Sequence, residues 1–213
     1  MRTIRVFFTK TGTAAFISHL DLQRVMARAL RKSGFPAWYS MGFNPHIYMS
    51  FALPLPLGQQ SLCESVDLKT ESEDDLSAYK QALSDALPLG IDVTDIAPPV
   101  MAADALTEAE YRLWCATDPQ FLQSAAEYYN QQPSAVVVRK TKRSQVELDL
   151  KTLLPALPLP DARGEITIRL PAGTERTINP ALLCGYFQGG EGAQGPQIDV
   201  LRLRILAGEQ PFR

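Results

Sequence analysis

Thr3-Ile-Arg-Val-Phe-Phe-Thr9, the turn Thr11-Gly12-Thr13 and then Ser18-His19-Leu20-Asp21 open the chain, and their order decides how the rest is read. Alternation places Ile4, Val6 and Phe8 on one face of a strand over 3–9. Ser18 and Asp21 stand three apart, as a capping box requires, so that a hydroxyl and a carboxylate satisfy donors that the first helical turn leaves free. A helix is expected from there to about residue 33, closed by Gly34. Residues 35–40 read as a strand whose Pro36 suits an edge or a strand start, 41–45 as a loop and 48–55 as extended. Residues 62–69 alternate as a strand. Residues 71–87 are expected to be helical, with Glu71, Glu73, Asp74 and Asp75 at the positive end of the helix dipole, and 91–96 as a strand. Strand, helix, two strands, helix, strand is the ferredoxin-like pattern, a helix pair on one face of an antiparallel sheet.

Pro98-Pro99 makes a joint, after which a similar order returns. It runs through a strand at 111–116, a helix at 119–130, a hairpin of 135–139 and 145–150 across the basic residues 140–143, a strand at 165–170, a helix at 180–187 and a strand at 198–206. The expectation is an α+β protein of two tandem ferredoxin-like (βαββαβ) halves with antiparallel sheets. The halves are residues 1–98, carrying a basic and aromatic surface, and 99–213, a more irregular copy. No repeat is visible in the residues themselves, so the duplication rests on element order.

A chain of 213 residues can bury a core without staples. Cys63, Cys115 and Cys184 are odd in number and scattered, which writes neither a disulfide framework nor a C-x-x-C metal site and suits a reducing cytoplasm. No stretch approaches the roughly 20 apolar residues that span a bilayer, so neither secretion nor a membrane partner is expected. The net charge of −2 excludes a generally sticky polycation, but the charge is unevenly spread. Residues 1–60 hold seven Arg and Lys against Asp21, residues 61–133 three against fourteen acids, and residues 134–151 swing back with Arg139, Lys140, Lys142, Arg143 and Lys151.

On the first helix, steps of 100° place Asp21, Arg24, Arg28 and Arg31 within an arc of about 80°, opposite Leu22, Val25, Met26 and Ala29. Evenly spaced guanidinium groups present forked donors to successive phosphates; the bland alternative is a solvated face with Arg24 paired to Asp21. The loop that follows spends Trp38, Tyr39 and Phe43 within six residues, together with Ser40, Asn44 and His46. Aromatic faces beside arginines hold unpaired RNA bases by stacking, and Asn44 and His46 supply polar contacts to base edges, sugars or phosphates. The candidate RNA-binding set is therefore Arg24, Arg28, Arg31, Tyr39, Ser40, Phe43, Asn44 and His46. His46 and His19 are the only histidines and the candidates for acid–base catalysis, His19 tending to the apolar edge of its helix. Gly190-Glu-Gly192-Ala-Gln-Gly195 matches a dinucleotide-binding spacing, but it is expected between a helix and a strand, the reverse of that context.

The runs Phe16–Arg24, Arg28–Gly34, Tyr39-Ser40, Gly42–His46, Ser50–Pro56, Gly58 and Ser61–Glu64 resemble an uncharacterised bacterial family linked to radical SAM proteins. The likeness is dense over residues 3–70. It departs after His46, where that family carries Pro and a basic residue and this chain has Ile47-Tyr48. The resemblance implies an RNA-binding accessory to a radical SAM enzyme acting on tRNA or rRNA, with SAM and the iron–sulfur cluster bound by that partner and no cofactor by this chain. DNA is not expected as a ligand. Two other functions fit the residues: a metal-independent endoribonuclease using a histidine, and a protein–protein module whose aromatic loop docks a partner without RNA.

Overall fold

The computed structural model describes residues 1–140, 145–173, 176–190 and 195–213. The basic turn with Lys142 and Arg143, and residues 191–194 of the glycine-rich run, lie outside the described residues. The fold is mixed α and β, with antiparallel strand pairing throughout the described registers and four α-helices among those residues. Contacts divide the chain into two compact units, Met1–Leu106 with Arg202–Arg213, and Thr107–Leu201. The division expected at residues 98 and 99 is a single cut along the chain, whereas the first unit also takes in Arg202–Arg213.

In the first unit, β1 (Arg2–Lys10) leads to α1 (His19–Lys32), then to β2 (Met49–Phe51) and β3 (Gln60–Thr70), to the short α2 (Lys80–Ala86) and to β4 (Val93–Ala97). β1 lies between β4 and β3, and β2 pairs with β3, all antiparallel. Ile4, Val6 and Phe8 of β1 meet Val66 and Leu68 of β3 beneath Leu22, Met26, Ala29 and Leu30 of α1, all buried. Each of these side chains larger than Ala29 contributes about 1.5–3 kcal/mol by leaving water.

Two expected elements differ. Residues 35–40 form no strand: Pro36 has no N–H to give a ladder, the Ala37 N–H turns back to Phe35 O at 2.8 Å, and the segment touches the sheet through Trp38 N–H on Lys69 O at 2.7 Å. The helix expected over 71–87 shrinks to a 3-10 turn at Leu76–Tyr79 and α2. Side chains compete for the backbone ahead of it, with Thr70 Oγ1 accepting Ser72 N–H, Ser72 Oγ accepting Asp74 N–H and Asp75 Oδ1 accepting Ser77 N–H. The acidic residues 71–75 therefore precede the helix and do not form its first turn.

Buried charge also departs from simple alternation. Arg5 points away from the α1 layer yet is fully buried, gripping Asp67 through two nitrogens at 2.6 and 2.9 Å. The Phe212 ring lies 4.2 Å from its guanidinium carbon. On the α1 side, Glu64 is buried with Arg202, whose Nη1 donates to the carboxylate at 2.7 Å and to Leu53 O at 2.8 Å. Lys10 is buried there too, its Nζ donating to Ala15 O at 3.0 Å.

The second unit holds β5 (Glu108–Trp114), α3 (Phe121–Gln131), β6 (Val136–Lys140), β7 (Gln145–Asp149), β8 (Ile166–Pro171) and α4 (Ala181–Phe187). β5 pairs with β8 from Glu108↔Pro171 to Leu113↔Ile166, while β6 and β7 form a separate two-stranded sheet. Tyr129 is buried between Tyr186 and Phe187, its hydroxyl donating to Leu154 O at 2.6 Å. β9 (Asp199–Ala207) carries the chain back into the first unit, where β10 (Gln210–Pro211) pairs with it. No helix is long and apolar enough to cross a membrane among the described residues.

Candidate nucleic-acid interface

Ser18 caps α1 as its spacing predicts, accepting Asp21 N–H at 3.2 Å and donating its hydroxyl to Asp21 Oδ2 at 2.8 Å. That hydroxyl, and then the Arg24 guanidinium, hold the Asp21 carboxyl below its ordinary range. The helix buries Leu22, Met26, Ala29 and Leu30 and leaves Arg24, Arg28 and Arg31 exposed, so the three arginines share the outer face. They are not equivalent. Arg24 Nη1 pairs with Asp21 Oδ1 at 2.8 Å, whereas Arg28 and Arg31 have no carboxylate partner among the described residues.

The aromatic loop is a closed hairpin. Tyr39 and Ile47 form an antiparallel bridge, and Ser40 N–H donates to His46 O at 2.8 Å. Inside that closure the Ser40 hydroxyl oxygen accepts His46 N–H at 3.1 Å and lies 2.9 Å from His46 Nδ1, which is also 3.2 Å from Asn44 O. A carbonyl only accepts, so this contact suits the tautomer with the proton on Nδ1 and leaves Nε2 uncommitted. Gly42, with φ at 121°, takes at the tip a backbone conformation that other residues adopt only under strain. Beside it Phe43 is fully exposed at 105 % and Met41 nearly so. Tyr39 is exposed at 40 %, Trp38 half-buried, and Ile47 sealed into the core at 4 %, anchoring the hairpin base.

Thus Ser40, Asn44 and His46 come together in one hydrogen-bonded loop, with Tyr39 and Phe43 beside them. Among the described residues no hydrogen bond or ring contact links that loop to Arg24, Arg28 or Arg31. His19 takes no part: its ring packs edge-on against Phe51 at 5.0 Å, Nε2 lies 3.1 Å from Gln23 Nε2 and Nδ1 is buried without a partner among the described residues.

Residues 3–180 match the model of a family described as an uncharacterized protein conserved in bacteria (DUF2344). The chain belongs to that family. No curated protein matches it.

Sequence reading missed one cation of this surface. Lys69 Nζ stands 5.0 Å over the Tyr48 ring. The strand register that sets Met49 opposite Leu68 brings Lys69 beside a residue twenty-one positions earlier (69 − 48), so nothing local in the sequence signals it. A basic group therefore sits at Tyr48 although the residues after His46 are Ile47-Tyr48. The cysteines are free and separate, and burial pushes the Cys63 and Cys184 thiols up to about 12, which suppresses thiolate chemistry at both.

Proposed function

We propose that this chain is an RNA-binding accessory protein that works with a radical SAM enzyme in tRNA or rRNA modification or processing. The observation that carries the RNA part is the closed hairpin from Tyr39 to Ile47, which holds Phe43 wholly in solvent on a hydrogen-bonded frame. A fully exposed ring on a fixed frame offers its face to a base, and such stacking is worth about 1–3 kcal/mol per base. Asn44 and the free Nε2 of His46 offer polar contacts at the same place, and Arg28, Arg31 and Lys69 offer charge for the backbone. SAM and its cluster belong to the partner in this reading, and the setting is the bacterial cytoplasm. The resemblance over residues 3–70 supports the radical SAM partnership. The strand order β4-β1-β3-β2 supports a ferredoxin-like first unit, with the second unit as its irregular counterpart.

One observation favours a second reading, cleavage of RNA by His46: its imidazole is fixed through Nδ1 and presents Nε2, as a general acid–base requires. Crosslinking in cells, followed by identification of what is recovered, separates these readings. The accessory role predicts a defined tRNA or rRNA together with a radical SAM protein. Recovery of neither overturns it, and recovery of RNA ending at a new cleavage site favours His46 as a catalyst.

A further inference from the structure

β6 and β7 form a sheet of two strands, so among the described residues each has an edge without a neighbouring strand. The phase of their pairing identifies the groups on the β6 edge. Leu150 N–H donates to Ala135 O at 2.9 Å, and the register continues through Val136↔Asp149, Val137↔Leu148 and Val138↔Glu147. Antiparallel pairs alternate between bonded and non-bonded, so Val137 faces β7 while the N–H and C=O of Val136 and Val138 turn outward. No described residue takes those groups. Edges of this kind are usually blunted by charge, proline or a bulge. Here the stretch is three valines, with Val136 and Val138 exposed at 51 % and 48 %.

This edge opens onto a groove. Its volume is about 660 Å³, and it is lined by Val136, Val137 and Val138 with Tyr128, Leu182 and Tyr186 among the facing residues. Three consecutive strand residues line one groove only when the strand presents its edge, because successive side chains point to opposite faces. The far wall is kept low by Gly185 of α4, where an added Cβ meets nothing within 4 Å. Among the described residues no charged side chain lines the groove, but Arg139 continues β6 beyond it, exposed and without a carboxylate partner among those residues.

We infer that the β6 edge receives an extended segment of a partner protein as an added strand, uncharged along the groove and acidic where it passes Arg139. Outward N–H and C=O groups supply the main-chain bonds, the groove takes alternate side chains, and Arg139 sets the charge at one end. This inference does not rest on the RNA reading, since the site lies wholly within the second unit.

The test is fluorescence anisotropy with a short labelled peptide of alternating valine and threonine that carries a glutamate at each end. The wild-type chain should bind it saturably in the micromolar range. Val138→Pro removes one outward N–H at a position that β7 does not use, and Gly185→Leu fills the groove from a helix that tolerates leucine. Each should weaken binding about tenfold or more while the melting temperature holds. Should Val138→Pro fail to fold, Gly185→Leu still decides. Absence of saturable binding, or affinity unchanged in Gly185→Leu, overturns the inference. So does a wild-type dimer that Gly185→Leu splits, since the occupant would then be a second copy of this chain.

Discussion

Ser40 and His46 hold each other through both backbone and side chain: Ser40 N–H donates to His46 O at 2.8 Å, and the Ser40 hydroxyl oxygen takes His46 N–H at 3.1 Å while touching Nδ1 at 2.9 Å. The seven residues from Ser40 to His46 are thereby closed into a frame whose outermost side chain, Phe43, is fully exposed. A rigid support for an exposed aromatic lowers the entropy lost when a base stacks on it.

Ser40→Ala removes the side-chain half of this clamp and leaves the backbone half. The lost bonds are solvent-exposed, so the fold should lose about 1 kcal/mol or less while RNA binding weakens roughly fivefold through a looser loop. Thermal melting beside RNA titration checks this; a large drop in melting temperature with unchanged affinity would assign Ser40 to folding alone.

Among the described residues Arg28 and Arg31 have no carboxylate partner, whereas Arg24 is already paired with Asp21. Replacing Arg28 and Arg31 by Ala should reduce the slope of log K against log salt by about 1.4 for single-stranded RNA, at about 0.7 per phosphate contact. Arg24→Ala should change it less.

Glu64 and Arg202 form a buried pair, exposed by 2 % each. Glu64→Gln leaves a buried guanidinium without its counter-charge and should cost about 3–5 kcal/mol in urea unfolding. The double variant Glu64→Leu with Arg202→Met should recover most of that loss, because neither charge is then stranded.

Burial holds Lys10 below its ordinary 10.5, with Glu64 pulling the other way. Between its lowered value and 10.5 the unfolded chain binds the proton better than the folded one, so stability should rise with pH across that window. Lys10→Met should lack this rise. Parallel stability curves for the two proteins between neutral pH and 10.5 would show that Lys10 titrates normally.

The elements legible in the sequence were those with local signals. Ser18 and Asp21 marked the start of α1, Gly34 its end, and Ile4, Val6 and Phe8 the inner face of β1. Elements whose outcome depends on competition were not. The helix over 71–87 lost its first turns to Thr70, Ser72 and Asp75 side chains that bond nearby N–H groups, and propensity cannot say which set of bonds wins.

Long-range partners were also hidden. Nothing near Arg5 signals that Asp67 and Phe212 bury it, and nothing near Glu64 points to Arg202, 138 positions away. The candidate site follows the same rule. Its loop residues were visible as a cluster of aromatic and polar types, but the Ser40–His46 closure depends on a turn, and Lys69 on a strand register.

The central claim is that Phe43 stacks on RNA. The direct measurement is the affinity of Phe43→Ala for a labelled single-stranded RNA against that of the wild-type chain. A ring lost from a fully exposed position should leave the melting temperature unchanged and weaken binding about tenfold or more. Equal affinity in the two proteins would contradict it.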